Sequence, residues 1–231
     1  MKRILSIALL AFTSVGVASA EGSSVAKLNE RIAAAHAVLH ELMDTPDKGV
    51  PLDIAAKATC VAVVPGFKKG AFLVGAQYGQ GVATCRTAKG WSAPVFIQIT
   101  GASFGFQAGG ESTDLVLVGV NHRSMDDMLK EKVKLGGDIA AAAGPVGRDS
   151  QAASGVLANA EFLTYSRSKG LFAGIDLDGT VLSQNGDDTR SEYGSDVPFE
   201  GVLHGSIPAP VNSRRFVHTI AKYFVVAKAN Q

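Results

Sequence analysis

The stretch GLFAGIDLDGTVLSQN, residues 170–185, has two readings, and they demand different folds. An apolar run ending in D-L-D-G-T is how haloacid-dehalogenase-type phosphatases present a nucleophilic aspartate, here Asp176, with Asp178 as general acid. That chemistry needs a parallel sheet, with the nucleophile at the carboxyl end of one strand and the supporting groups on later strands. Only 55 residues follow Asp176, too few for several strand–helix crossovers of about 30 residues each. Gly186-Asp187-Asp188 resembles a late acidic motif but arrives too soon for a separate parallel strand. The second reading is a hairpin. Leu171, Ala173, Ile175 and Leu177 alternate on one strand face, Asp178-Gly179 is a favoured two-residue turn, and TVLSQ returns as the partner strand. A calcium loop fails for want of regular acidic spacing and a closing glutamate. Spacing selects the hairpin, and with it an antiparallel sheet.

The neighbouring sequence agrees. CVAVVPG, GAFLVGAQYG, GVATCR, APVFIQIT, ASFGFQAG and DLVLVGVN are short β-branched or aromatic runs punctuated by glycine, and EFLTYSRS follows later. Consecutive strands without alternating helices predict an α+β fold: a mainly antiparallel, strongly curled or barrel-like sheet with flanking helices. Val25, Leu28, Ile32, Ala35, Leu39 and Leu42 recur at steps of three and four, so residues 25–43 read as a helix capped by Ser23 or Ser24. A short helix is expected from Pro51, another at about Ser124–Leu135, and a last one over about 212–224.

Lys2 and Arg3 precede an apolar run, ILSIALLAFTSVGV, and Ala18-Ser19-Ala20 supplies small residues. This predicts a signal peptide over residues 1–20, cleaved after Ala20, and an exported, periplasmic or secreted chain over 21–231. The full chain carries a formal charge of +1; removing Lys2 and Arg3 leaves 20 basic against 21 acidic residues, a charge of −1. Bulk charge therefore gives no case for nucleic acid, and an anionic partner must be met locally. The two cysteines, Cys60 and Cys85, read as a disulfide candidate in an oxidising compartment, closing a loop of about 25 residues worth roughly 3 kcal/mol. Two buried free thiols or a redox pair are the rivals; the lack of C-x-x-C spacing weighs against the redox pair.

Other constellations are thin. His36 and His40 stand four apart on the first helix without an evident third ligand, so no metal is expected, and His122, His204 and His218 are scattered. No G-x-S-x-G elbow supports a serine triad. GPVGR, residues 144–148, offers glycine-freed amides and Arg148 to a phosphate, or is simply a tight turn after a helix. In the tail, Phe216, Ile220 and Phe224 oppose Arg214, His218 and Lys222, with Arg215 beside them. Such a helix either lies on an anionic lipid surface or docks its aromatic face on the core. Lys68-Lys69, in what reads as a PGFKKGAF turn, is a second small basic spot.

Four segments in order, AAKATCVAVVPGFKKGAFLVGAQYGQGV, ASFGFQAGGESTDLVLVGVN, AAAAGPVGR and SRSKGLFAGIDLDGTVL, resemble the SYLF domain across about residues 45–190. The chain is thus expected to be one SYLF-like domain, core about 45–205, in which KGLFAG followed by an acidic-glycine turn is ordinary. The resemblance implies lipid binding rather than catalysis. Eukaryotic members bind phosphoinositides, membranes and in some cases actin; bacterial members are secreted or envelope proteins associated with phospholipids. The helix at 25–43 occupies the place of a basic membrane-binding helix in eukaryotic members, but carries only Lys27 and Arg31 against Glu30, Glu41 and Asp44. The expectation is a non-enzymatic, cofactor-free envelope protein that binds a phospholipid or membrane surface. Its head-group phosphate contacts would come from Lys68, Lys69, Arg148, Arg214, Arg215 or Lys222. The alternatives are a structural or protein-interaction module of the envelope, and, third, a metal-dependent phosphatase using Asp176 and Asp178.

Overall fold

A computed structural model describes residues 18–44, 49–146, 159–168, 171–194 and 197–225, with the backbone alone for 18–23, 71–74 and 103–109. The predicted signal sequence therefore lies almost wholly outside the described residues. Its frame is a single long ribbon. The six apolar runs that read as short strands merge into β1 (Cys60–Thr87) and β3 (Val95–Gly119), joined through the two-residue β2 (Gly90–Trp91). β1 and β3 pair antiparallel from Cys60↔Gly119 to Ala83↔Val95. A straight strand of 28 residues would span about 90 Å. Instead its ends meet: the Arg86 amide donates to the Thr59 carbonyl at 2.6 Å, and Cys60 and Cys85 form a disulfide with Cα atoms 4.0 Å apart.

Two register shifts start the curl. One lies between Val64 and Phe67, where Gly66 takes φ +59°; the other lies between Ala71 and Leu73. Glycine then lets the strand cross itself. A Cβ at Gly81 would fall 2.1 Å from the Val63 carbonyl oxygen, and one at Gly79 would fall 2.6 Å from Val64 Cγ1. Lys68 and Lys69 are thus strand residues beside a bulge, not the tip of a turn.

The rest of the sheet builds on the two halves of β3. Its later half, Asp114–Gly119, pairs with β6 (Phe162–Ser168), whose far side takes β5 (Ala141–Ala143) and β7 (Leu171–Gly174). Its earlier half, Ile97–Gly101, pairs with β8 (Thr180–Gln184), which then pairs with β4 (Lys132–Lys134). Of the named strand pairs only β5–β6 is parallel, so the eight strands form a mainly antiparallel, curled half-barrel in an α+β fold.

The expected hairpin at 170–185 is corrected. Its turn is present: Thr180 N donates to Leu177 O at 3.0 Å, Gly179 takes φ +81°, and Asp178 N donates to Asp176 Oδ1 at 2.8 Å. β7 and β8 nevertheless pair with different strands, because β6 already satisfies β7 and β3 offers its apolar edge, Ile97–Gly101, to β8. The strand's parity is also inverted: Phe172 is buried and Leu171 is exposed.

Helices cover both faces of the sheet. α1 (Ala18–Asp44) starts upstream of the expected helix, so Ser23 and Ser24 lie inside it rather than capping it. α2 (Leu52–Lys57) follows Pro51. α3 (His122–Leu129) is shorter than expected; an Asn121–Ser124 capping box starts it, and 132–134 is strand β4. α4 (Gly186–Tyr193) and α5 (Phe199–Leu203) were not anticipated. A 3-10 turn, Val211–Ser213, leads into α6 (Arg214–Tyr223).

Both faces of the sheet are buried, which explains its unbroken apolar runs. Cys60, Ala62 and Val64 point inward with Ile97, Ile99, Leu115, Leu117 and Leu182, closed by Met128 of α3 and Val202 of α5. Val61, Val63, Val82, Phe96, Val116 and Val118 point outward to Leu28, Ile32, Leu39 and Leu42 of α1 and Phe216 and Ile220 of α6. Each fully buried Leu or Ile is worth about 1.5–3 kcal/mol, so the four on α1 are enough to hold that helix down.

Candidate functional site

Where β1 folds over itself, its bulge lies beside its return stretch, and α1 lies across both. The result is an open cleft of about 340 Å³. Lys27, Glu30, Arg31 and Ala34 line it from α1, at the i, i+3, i+4, i+7 spacing of one helix flank. Pro65, Gly66 and Lys68 line it from the bulge, and Tyr78, Gly79 and Gln80 from the return stretch.

Arg31 is already engaged. Nη1 lies 2.5 Å from Asp188 Oδ2 and Nη2 donates to Gln80 Oε1 at 2.8 Å, while the guanidinium sits 5.5 Å from the Phe96 ring centre. Asp188 in turn accepts from Asn185 Nδ2 at 2.7 Å. This places a balanced, oriented cation in the cleft. Lys27 and Lys68 are exposed, and among the described residues neither has an ion-pair partner. Tyr78, 46% exposed, adds an aromatic face. Two free ammonium groups, a held guanidinium and an aromatic edge suit an anion carried on an organic head group; Glu30 is the opposing charge.

The other expected cations fall elsewhere. Lys69 is on the opposite strand face from Lys68, its ammonium 5.9 Å from the Phe67 ring centre. Arg148 lies outside the described residues. Arg214, Arg215 and Lys222 are exposed on α6, while Phe216, Ile220 and Phe224 are buried, so the tail helix docks its aromatic face on the core. Arg86 secures this: Nη2 donates to the Phe224 carbonyl at 2.8 Å, Nε donates to Ala58 O at 2.9 Å, and the guanidinium covers Trp91 at 4.6 Å. Asn212 bonds Asn29, and the Tyr223 hydroxyl bonds Asp44. α6 therefore runs along the flank of α1 opposite the cleft, and the two basic sets are not united.

His36 and His40 face α6 with ring centres 6.0 Å apart; among the described residues no three His, Cys, Asp or Glu side chains group to hold a metal. Asp176 and Asp178 are exposed at the turn after β7, an antiparallel strand, with Asp178 folded against Gly136. Asp127 and Glu161 form a buried carboxyl pair, with Lys130 Nζ 2.6 Å from Asp127 and Arg123 Nε 3.1 Å from Glu161. Burial, then the hydrogen bond with Asp127, pushes the Glu161 carboxyl up.

Of the cleft residues the sequence reading selected only Lys68. Lys27 and Arg31 were visible as an i, i+4 basic pair, but nothing local tied them to a strand more than thirty positions away.

The family model described as Ysc84, Las17-binding protein actin regulator, fits residues 100–223. The rat SH3 domain-containing YSC84-like protein 1 is 37% identical over 170 residues, covering 73% of this chain and 50% of that protein. Its human counterpart is 36% identical over 170 residues, covering 73% and 49%. LAS seventeen-binding protein 3 of Saccharomyces cerevisiae is 34% identical over 169 residues, covering 71% and 36%. The chain thus spans half or less of the length of these relatives. By the family model and by these identities, the chain belongs to the Ysc84 family, the family of the SYLF domain.

Proposed function

We propose that this chain is an exported, non-enzymatic phospholipid-binding protein of the cell envelope, and that the α1–β1 cleft receives the phosphate of the lipid head group. The observation that carries the reading is the pair Lys27 and Lys68, two ammonium groups without an ion-pair partner among the described residues, on either side of a cleft in which Arg31 is already balanced. At about 30 Å³ per water, the cleft holds roughly eleven water volumes, the scale of a polar head group rather than of two acyl chains. The acyl chains then stay in the bilayer, and the exposed phenol of Tyr78 sits at the interface, where amphipathic rings are favoured.

The test is flotation with phosphatidylglycerol vesicles, alongside native mass spectrometry of the protein secreted from its full-length gene. Binding should weaken about fivefold for each of Lys27→Gln and Lys68→Gln, at about 1 kcal/mol per surface cation. N-terminal sequencing of the secreted chain should begin at Glu21. A chain that carries no lipid and ignores every vesicle refutes the reading. A second reading, a protein-interaction module, is favoured by the family's description as Las17-binding. It predicts a stoichiometric protein partner and no dependence on Lys27 or Lys68.

A further inference from the structure

A phosphate held by Lys27 and Lys68 leaves the opposite chemistry of the cleft unused. Glu30 is exposed on the same flank of α1, three positions after Lys27, and among the described residues it makes no ion pair. On the β1 wall Tyr78 is 46% exposed, and Gln80 lies two positions further along the same strand face. Gln80 Oε1 accepts from Arg31 Nη2 at 2.8 Å, and a carbonyl oxygen has a second lone pair to offer. Ala34, Gly66 and Gly79 add no long side chain between these groups, so the space they share stays open. With Arg31 balanced by Asp188, the cleft offers two ammonium groups for an anion. It also offers a carboxylate, an amide oxygen and an aromatic face, and that second set suits a cation.

We propose that the cleft selects a zwitterionic phosphoethanolamine head group, its phosphate taken by Lys27 and Lys68 and its ammonium by Glu30, Gln80 and the face of Tyr78. The inference rests on the phospholipid reading and narrows it to one head-group class. A phosphodiester of an uncharged polyol matches the two lysines but leaves Glu30 beside an anion with no cation to meet. A second phosphate, as on a phosphoinositide, is repelled by the same carboxylate. The zwitterion gives every charge in the cleft an opposite neighbour. A primary ammonium also fits better than a quaternary one. Its N–H groups can donate to the Glu30 carboxylate and to Gln80 Oε1, whereas Tyr78 alone is not the aromatic cage that a methylated ammonium favours.

The experiment titrates the full chain, followed by NMR, with glycerophosphoethanolamine, glycerophosphocholine and glycerophosphoglycerol, which compare head groups without a charged bilayer. The ethanolamine ester should bind about fivefold tighter than the glycerol ester, with the choline ester between them. Glu30→Gln should bring that ratio below about two, and Tyr78→Leu should weaken both ammonium esters while leaving the glycerol ester unchanged. Lys27→Gln with Lys68→Gln should weaken all three. A second arm sediments the chain with vesicles of phosphatidylcholine alone or mixed with phosphatidylethanolamine, both without net charge, and only the mixture should carry it down. Circular dichroism checks that each variant is folded. A wild-type ratio near one, or a ratio that survives Glu30→Gln, overturns the proposal, while weakening by the double lysine variant keeps the phosphate reading. Selective binding of the soluble ester without sedimentation on the mixed vesicles assigns the cleft to a free phosphodiester and also overturns it. A chain that binds no ester and no vesicle, phosphatidylglycerol included, overturns both readings.

Discussion

Replacing Gly81 with alanine tests whether the curl of β1 depends on its missing side chain. The added Cβ would sit 2.1 Å from the Val63 carbonyl oxygen and 2.8 Å from Val64 Cγ2. Relief requires about 1 Å of backbone movement, since the nearest atoms are backbone rather than the end of a flexible side chain. Val63 is buried and paired with Val116, so that movement strains the ladder. Overpacking costs about 1–3 kcal/mol and a lost ladder bond about 1 kcal/mol more, offset by about 0.5 kcal/mol from the stiffer unfolded chain. A net loss of about 1.5–3.5 kcal/mol follows, and at 2–4 °C per kcal/mol the midpoint should drop by about 3–14 °C. Gly70→Ala on the same strand is the control, because its Cβ would meet nothing within 4 Å; it should stay within about 1 kcal/mol of wild type. Thermal and urea unfolding by circular dichroism, with the disulfide intact, measures both. If Gly81→Ala melts with the wild type, or Gly70→Ala falls as far, the self-crossing strand is not what limits stability.

Other expectations follow from specific contacts. Paired Cys60→Ser and Cys85→Ser substitutions should cost about 3 kcal/mol in urea unfolding, and dithiothreitol should leave that variant unaffected. Arg31→Met removes a mostly buried cation from Asp188 and Gln80 and should cost about 1–3 kcal/mol; a double-mutant cycle with Asp188→Asn should show coupling, and strict additivity would show that the pair is idle. Glu161 is held above the ordinary carboxyl range in the fold, so its contribution to stability is greatest at low pH. That contribution is lost as pH rises from about 4.3 through the raised value. The stability of wild type relative to Glu161→Gln should therefore fall over that window, and a flat difference would contradict the buried pair.

How much of this was legible depended on range. The apolar periodicity of α1 and the tail, the glycine-punctuated strands and the Cys60–Cys85 pair are local or compositional signals, and they led to the α+β, antiparallel, curled fold. The turn at Asp178-Gly179 was equally legible, but turn chemistry says only that the chain reverses. It does not say whether the next strand joins its predecessor or a distant edge, and here Ile97–Gly101 took β8. The glycines of β1 read as boundaries between short strands because glycine ends strands more often than it lets one strand cross itself. The cleft was invisible for the same reason: Lys27, Lys68 and Tyr78 become neighbours only once β1 has bent and α1 has been laid over it.

That α1 and α6 lie side by side also bears on how the chain reaches its native state. Tyr223 and Asp44 meet across 179 positions, and Arg31 and Asp188 across 157. Contacts of such separation pay their loop-closure entropy late, so the final and slowest folding step should be the joint seating of the two helices on a sheet that is already curled. The disulfide works at the opposite end of that scale. Its 25-residue loop can close first and template the bend, so oxidation before folding should accelerate the slow phase, and a segment confined to residues 100–223 would lack both the template and the opening helix.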